Sequence, residues 1–383
     1  MIDKYTLYGS YASYYTAKTR SYLRKKGIPF VERLPSDPVF REKVRPASGS
    51  HRIPQVLTPE GQVLQDSVEI LDFLEQRFPE IPAIPATPCQ RVFVHLMELL
   101  ASEGLVQLAW LHRWIFEEEN FSFVKKDFGR SFKPQGSDEE LLKYGNLIAD
   151  RMMSGGMLPE ATDELKASLD QQYLGLLNVV ETHLMFHPYF LGGHPSAADY
   201  AIMGALHAHL GRDPAGLRVM QENAPRVFRW VEHMIVPEVQ SPEFFDRKVE
   251  YLADDEVPET ALRVLNYIAD NFGEKFVLGA LAFNQAVERL NPQKGYIFNE
   301  EQDQPALPKE TIDYKGVEQT VRANLYAIWL SQRAQCYYQS LDVETQKQVS
   351  QIIGEGAERI TTELIAVPVR AKIERLNNRL VVA

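Results

Sequence analysis

The sequence predicts an α/β N-terminal domain of order βαβαββα, then an all-α domain, then a further mostly helical region. Three observations carry this. The first eighty or so residues alternate β-prone runs with helical patterns, prolines at 79, 82, 85 and 88 then break the chain, and helical periodicity dominates from Gln90 onward. A length of 383 residues exceeds one ordinary domain, so the expected division is 1–80, 88–245 and 250–383.

Lys4 to Gly9 is a Tyr/Thr/Leu run of strand character, and the pattern from Ser13 to Lys26 is helical until Gly27 stops it. Arg24, Lys25 and Lys26 fall at that helix's C-terminal end, where cations complement its dipole. Ile28 to Leu34 reads as a second strand, and the segment Pro38 to Val44 is expected to hold a short helix. Gln55–Leu57 and Gln62–Leu64 flank the turn residues Thr58-Pro59-Glu60-Gly61 and predict a hairpin. Ser67, Ile70, Leu71, Phe73 and Leu74 then open an amphipathic helix that ends near Phe78-Pro79.

Helices are expected near 90–118, 160–186, 196–210 and 224–236. The stretch 117–158 carries Phe121, Phe123, Phe128, Gly129, Phe132, Gly155 and Gly156, and is expected to be irregular, a lid or pocket wall. Beyond Phe245, Ala261, Val264, Leu265, Ile268 and Phe272 mark one helical face, and Val317, Val321, Leu325 and Ile328 another. The acidic stretch Asn299 to Asp313, with Pro305 and Pro308, is expected to be a surface loop.

Hydrophobic residues at 45% and charged residues at 24% are globular values, with no uninterrupted apolar run of membrane-spanning length, so no membrane partner is expected. A net charge of −11 disfavours nucleic acid as a partner. Cys89 and Cys336 are too far apart in sequence to suggest a disulfide framework, a redox pair or a zinc cluster. With no recognisable secretory signal, a cytoplasmic location is expected. His207 and His209 are two apart and cannot share a helix face, and Pro188 ends the helix behind His183 and His187, so no metal site is expected.

Leu7-Tyr8, Ser10, Ser13, Lys18, Arg20, Leu23 and Lys26-Gly27-Ile28-Pro29 form one spaced set. Ile53-Pro54, Gln65-Asp66-Ser67 and Leu-Gly-Gly-His-Pro-Ser-Ala-Ala-Asp at 191–199 follow it. In that order and spacing the chain resembles the glutathione transferases of the serine-type classes over roughly residues 4–240. Some large bacterial members look similar in the last 140 or so residues too, including a helix like Leu325 to Arg333. The resemblance implies a thioredoxin-like N-terminal domain, an all-α second domain, glutathione as cosubstrate, a small hydrophobic electrophile and a homodimer.

Each implied site residue has its own chemistry. Ser13 stands where redox relatives of the fold carry the first cysteine of CxxC, and the four positions here read Ser13-Tyr14-Tyr15-Thr16. Its hydroxyl can donate to a thiolate at a helix N-terminus, or it can simply cap that helix. The residue two after Leu7, which carries the catalytic tyrosine in tyrosine-type relatives, is Gly9. Pro54 matches the fold's cis-proline, with Ile53 offering main-chain groups to the glutathione cysteinyl unit. Asp66 and Ser67 open a helix whose free N–H groups suit the γ-glutamyl carboxylate. Arg52 and Gln65 are candidates for the far end of glutathione. Ser196 and Asp199 read as a structural capping box. Trp110, His112, Arg113 and Trp114 face either a second-substrate pocket or the core. The leading function is thiolate activation for attack on an electrophile, and the alternative is a non-catalytic adaptor that uses the C-terminal extension. A thiol-disulfide reductase is disfavoured by the absence of cysteine at 13–16.

Overall fold

A computed structural model describes residues 4–154, 158–298, 306–354 and 360–383. The chain forms two compact units, one of residues 1–83 and 105–251, the other of 84–104 and 252–383.

The first unit opens with β1 (Tyr5–Tyr8), α1 (Tyr14–Lys25), β2 (Phe30–Arg33), α2 (Arg45–Ser48), β3 (Gln55–Leu57), β4 (Val63–Gln65) and α3 (Ser67–Arg77). This is the expected βαβαββα order, with a five-residue π-helical turn, Phe40–Val44, leading into α2. The strands lie in the order β2-β1-β3-β4, with β1 parallel to β2 and antiparallel to β3. Leu7 and Val56 face each other at the centre of the sheet with no exposed surface, and Leu23, Ile70 and Leu74 are equally buried on the covering helices. Gly27 ends α1 with φ of 68°, a conformation costly for any residue bearing a Cβ.

Helix α4 (Pro88–Leu99) belongs to the second unit, and the chain returns to the first with α5 (Leu105–Ile115). The continuous helical stretch Pro88–Ile115 is long and apolar enough to cross a membrane, but 89% of its most apolar window is buried. Then follow α6 (Glu117–Phe132), α7 (Asp138–Ser154), α8 (Asp163–His183), α9 (Ala197–Met203), α10 (Pro214–Asn223) and α11 (Pro225–Met234).

The expected irregular stretch is therefore corrected: α6 and α7 make a regular helical hairpin. Its two backbones approach so closely that a Cβ on Gly129 would lie 1.9 Å from the Leu141 carbonyl oxygen, and one on Gly145 1.9 Å from that of Lys125. The glycines that looked like breakers are contact points between helices. Trp110, Phe121, Phe123 and Phe128 pack around buried Trp114 and Val124 rather than lining a loop. Gly155 and Gly156 lie outside the described residues.

The second unit adds α12 (Glu259–Phe272), α13 (Glu274–Leu290), β5 (Ala306–Tyr314), β6 (Val317–Asn324), α14 (Leu325–Ser340), α15 (Val343–Ile353), α16 (Ile360–Ala366), β7 (Ile373–Leu376) and β8 (Arg379–Val382). Helix α4 packs against α12, α14 and α15. Asp255 accepts from the backbone N–H groups of Cys89 and Gln90 at 2.8 and 2.9 Å, anchoring the start of α4. Two sequence expectations are corrected here. Val317 and Val321 lie on strand β6, not on a helical face, and Ala306 to Asp313 is strand, not loop; Asn299 to Pro305 lie outside the described residues.

Candidate functional site

Sheet register brings three chain segments to one end of the N-terminal domain. Tyr8, the last residue of β1, pairs with Gln55, the first of β3, which pairs with Gln65, the last of β4. Neighbouring strands are about 4.8 Å apart. The loop leaving β1 toward Ser13, the segment entering β3 through Arg52, Ile53 and Pro54, and the step from Gln65 into Asp66 and Ser67 therefore emerge side by side.

Ser13 is half-buried and caps α1: its Oγ accepts from the Thr16 N–H at 3.3 Å and from the Thr16 hydroxyl at 2.9 Å. Two arginines hold the carbonyls of the loop before it. Arg20, fully buried, donates to the Ser10 oxygen at 3.1 Å and is itself held by Glu32 at 2.7 and 2.6 Å. Arg113 donates to the Ala12 oxygen at 3.0 Å. Tyr11, 40% exposed between them, lies under the Arg20 guanidinium at 4.0 Å and near that of Arg212 at 5.3 Å. The position of the tyrosine-type residue is closed, since a Cβ on Gly9 would lie 2.2 Å from Thr16 Cγ2.

The Ile53–Pro54 peptide is cis, with Ile53 half-buried and Pro54 buried. Gln55 behind it has no exposed surface, and its amide donates to the oxygens of Ser50 and Arg52 at 2.8 Å each. Arg52 itself is exposed, with its N–H on the Ser50 hydroxyl at 3.1 Å. Asp66 caps α3, its carboxylate accepting from the N–H groups of Val68 and Glu69 at 2.9 and 3.4 Å, in a backbone with φ of 86°. Ser67, 3% exposed, is the first residue of α3, and Gln65 is half-buried on β4.

Other candidates fall elsewhere. His112, Arg113 and Trp114 are at most 3% exposed and belong to the interior. Ser196 and Asp199 form the expected capping box, the carboxylate accepting from the Ser196 N–H at 2.8 Å. Among the described residues no three of His, Cys, Asp and Glu are grouped to hold a metal ion. Sequence reasoning missed Thr16, Gln55 and the anchoring by Arg113. The first two carry local signals, a buried hydroxyl three residues after a cap and a glutamine in an apolar strand, but Arg113 depends on residues far away in sequence.

Residues 7–82 match the family model of the glutathione S-transferase N-terminal domain, and residues 160–233 that of the glutathione S-transferase C-terminal domain. The two matches fall in the order N-terminal then C-terminal, the first on the thioredoxin-like sheet and its helices and the second on the helices that follow. Among curated proteins none matches the sequence. Solved structures similar to it include a glutathione S-transferase of Methylobacterium radiotolerans in complex with glutathione sulfonate, at 20% identity and a TM-score of 0.37, over 65% of this chain and 96% of that one. A glutathione transferase family member from Pseudomonas fluorescens with two glutathione bound gives 18% identity and 0.35, over 69% and 92%. A beta-etherase of Sphingobium gives 21% identity and 0.41, over 60% and 95%.

Proposed function

We propose that the chain is a serine-type glutathione transferase that activates the glutathione thiol for attack on a small hydrophobic electrophile. The observation that carries this reading is the meeting of the Ser13 loop, the cis Ile53–Pro54 segment and the Asp66–Ser67 helix start at one end of the sheet. Each supplies a different part of the ligand's needs. With the Val68 and Glu69 N–H groups on the Asp66 cap, the Ser67 N–H and hydroxyl at the start of α3 suit the γ-glutamyl carboxylate, and Asp66 the α-amino group. Ile53 offers backbone groups to the cysteinyl unit, with Arg52 and Gln65 toward the glycyl end. Ser13 donates to the sulfur, and the dipole of α1 adds positive potential.

Together these lower the thiol's pKa from about 8.5 toward neutrality, so that thiolate is present at cellular pH. The reaction then rests on thiolate supply and positioning rather than on a protein nucleophile. A homodimer in the cytoplasm belongs to the same reading.

Isothermal titration with reduced glutathione tests it, and absence of binding at millimolar ligand would sink it. Ser13→Ala should leave affinity within about threefold while removing most of the bound ligand's thiolate ultraviolet absorbance at neutral pH. Unchanged absorbance would return Ser13 to helix capping alone. The second unit, with 84–104 and 252–383 built together, favours a second reading as a non-catalytic adaptor that uses the C-terminal extension. That reading predicts no glutathione binding at millimolar ligand.

A further inference from the structure

We infer that Thr16 is a positioning residue for Ser13, its buried hydroxyl fixing the Ser13 O–H as the donor to the ligand's sulfur. The inference rests on the glutathione reading above and concerns how the donor is prepared.

A serine hydroxyl has two acceptor lone pairs and one proton to donate. At Ser13 both acceptor positions face Thr16, one taking its N–H at 3.3 Å and the other its hydroxyl proton at 2.9 Å. What remains for the half-buried Ser13 oxygen to offer a ligand is its own O–H. The reverse arrangement, Ser13 donating to Thr16, would turn a serine lone pair toward an anionic sulfur. A bound thiolate therefore selects the arrangement in which Thr16 donates, and a hydroxyl whose oxygen accepts two hydrogen bonds is the stronger donor.

Capping alone does not require this hydroxyl. A cap uses only the backbone N–H of residue 16, and valine would fill the same volume with the same branched shape. Thr16 has no exposed surface, so its hydroxyl is costly unless bonded, and Ser13 Oγ is the partner it uses. The space for it comes from Gly9, where a Cβ would lie 2.2 Å from Thr16 Cγ2 and 2.8 Å from Thr16 Oγ1. Gly9, Ser13 and Thr16 thus act together: the glycine that leaves no tyrosine at position 9 also admits the residue that prepares Ser13.

The test is a pH titration of the thiolate ultraviolet absorbance of glutathione bound to wild-type, Thr16→Val and Thr16→Ser protein. Thr16→Val should raise the bound thiol's pKa by about half to one unit, roughly a three- to tenfold loss of thiolate at a fixed pH below it. Glutathione affinity should stay within about threefold, and Thr16→Ser should return the pKa to near the wild-type value. A valine variant with the wild-type pKa, or a serine variant as impaired as the valine one, overturns the inference. Thr16→Ala, which also lacks the hydroxyl, is read the same way if the valine variant does not fold. Failure of the wild-type protein itself to bind glutathione would overturn the parent reading, and is seen before any variant is compared.

Discussion

Arg113 on α5 and Asp213, the N-cap of α10, meet through hydrogen bonds of 2.6 and 3.0 Å, each side chain only 3% exposed. The same guanidinium donates to the oxygens of Ala12 and Ala208 at 3.0 and 2.6 Å. Desolvating both charges is offset only while the whole set is intact, so removing one partner strands the other. Arg113→Met is expected to lower unfolding stability by about 3–5 kcal/mol, and Arg113→Met with Asp213→Leu to recover part of that loss. Urea denaturation of both variants checks this, and a single-variant loss below about 1 kcal/mol contradicts it.

Gly9→Ala places a methyl 2.2 Å from Thr16 Cγ2 and must displace one of the two. A loss of about 1–3 kcal/mol is expected, as for other overpacked sites. Because the clash is with one side chain, adding Thr16→Ala should relieve most of it. A double-mutant cycle in which the two losses simply add would show that the glycine is needed for another reason.

In the α6–α7 hairpin the obstruction is backbone, which cannot rotate away. Gly129→Ala or Gly145→Ala would push a methyl against a carbonyl oxygen 1.9 Å away. Each should raise amide hydrogen exchange throughout Glu117–Phe132 and Asp138–Ser154 while exchange in the N-terminal sheet is unchanged. Protection equal to wild type in both helices would disprove the close packing.

Acid should destabilise the first unit through histidines held neutral. Burial pushes His183 down to about 3, His194 to about 4 and His207 to about 3. The unfolded chain binds protons at these residues below about pH 6.5, and the folded chain does so only near pH 3–4. Their contribution is therefore complete above pH 6.5 and is lost as pH falls, by up to about 1.4 kcal/mol per pH unit for each histidine. Urea midpoints at pH 7.5, 6.5 and 5.5 should fall in that order, and a flat profile would show that the three rings titrate normally in the folded protein.

What the sequence made legible was what local chemistry decides. Ser13 and Asp66 are cap residues ahead of amphipathic patterns, and both cap helices; Thr58 to Gly61 is turn chemistry, and a hairpin turns there. Arg113 shows the limit, because whether an arginine on a helix reaches a substrate or the Ala12 carbonyl depends on Asp213, a hundred residues on. Val317 and Val321, which lie on a strand, show another limit: four-residue spacing fits a helix face and one face of a strand alike. The deciding signal was Lys315-Gly316, both at positive φ, linking the paired residues Tyr314 and Val317 as a two-residue hairpin turn. Phe-rich 117–158 looked irregular because its glycines serve contact between helices, which a one-dimensional pattern does not distinguish from helix breaking.

The partition of the chain also sets an order of events on the ribosome. Residues 84–104 are synthesised long before 252–383, the segment with which they form a unit. At roughly 5–20 residues per second the wait until α15 has been made is about 12–50 s. During it α4, with Val92, Phe93, Leu96 and Met97 all fully buried in the finished protein, has yet to meet α12, α14 and α15. The nascent chain thus carries a stretch of membrane-like hydropathy throughout that wait, and a chaperone or a bilayer can compete for it until α12, α14 and α15 are made.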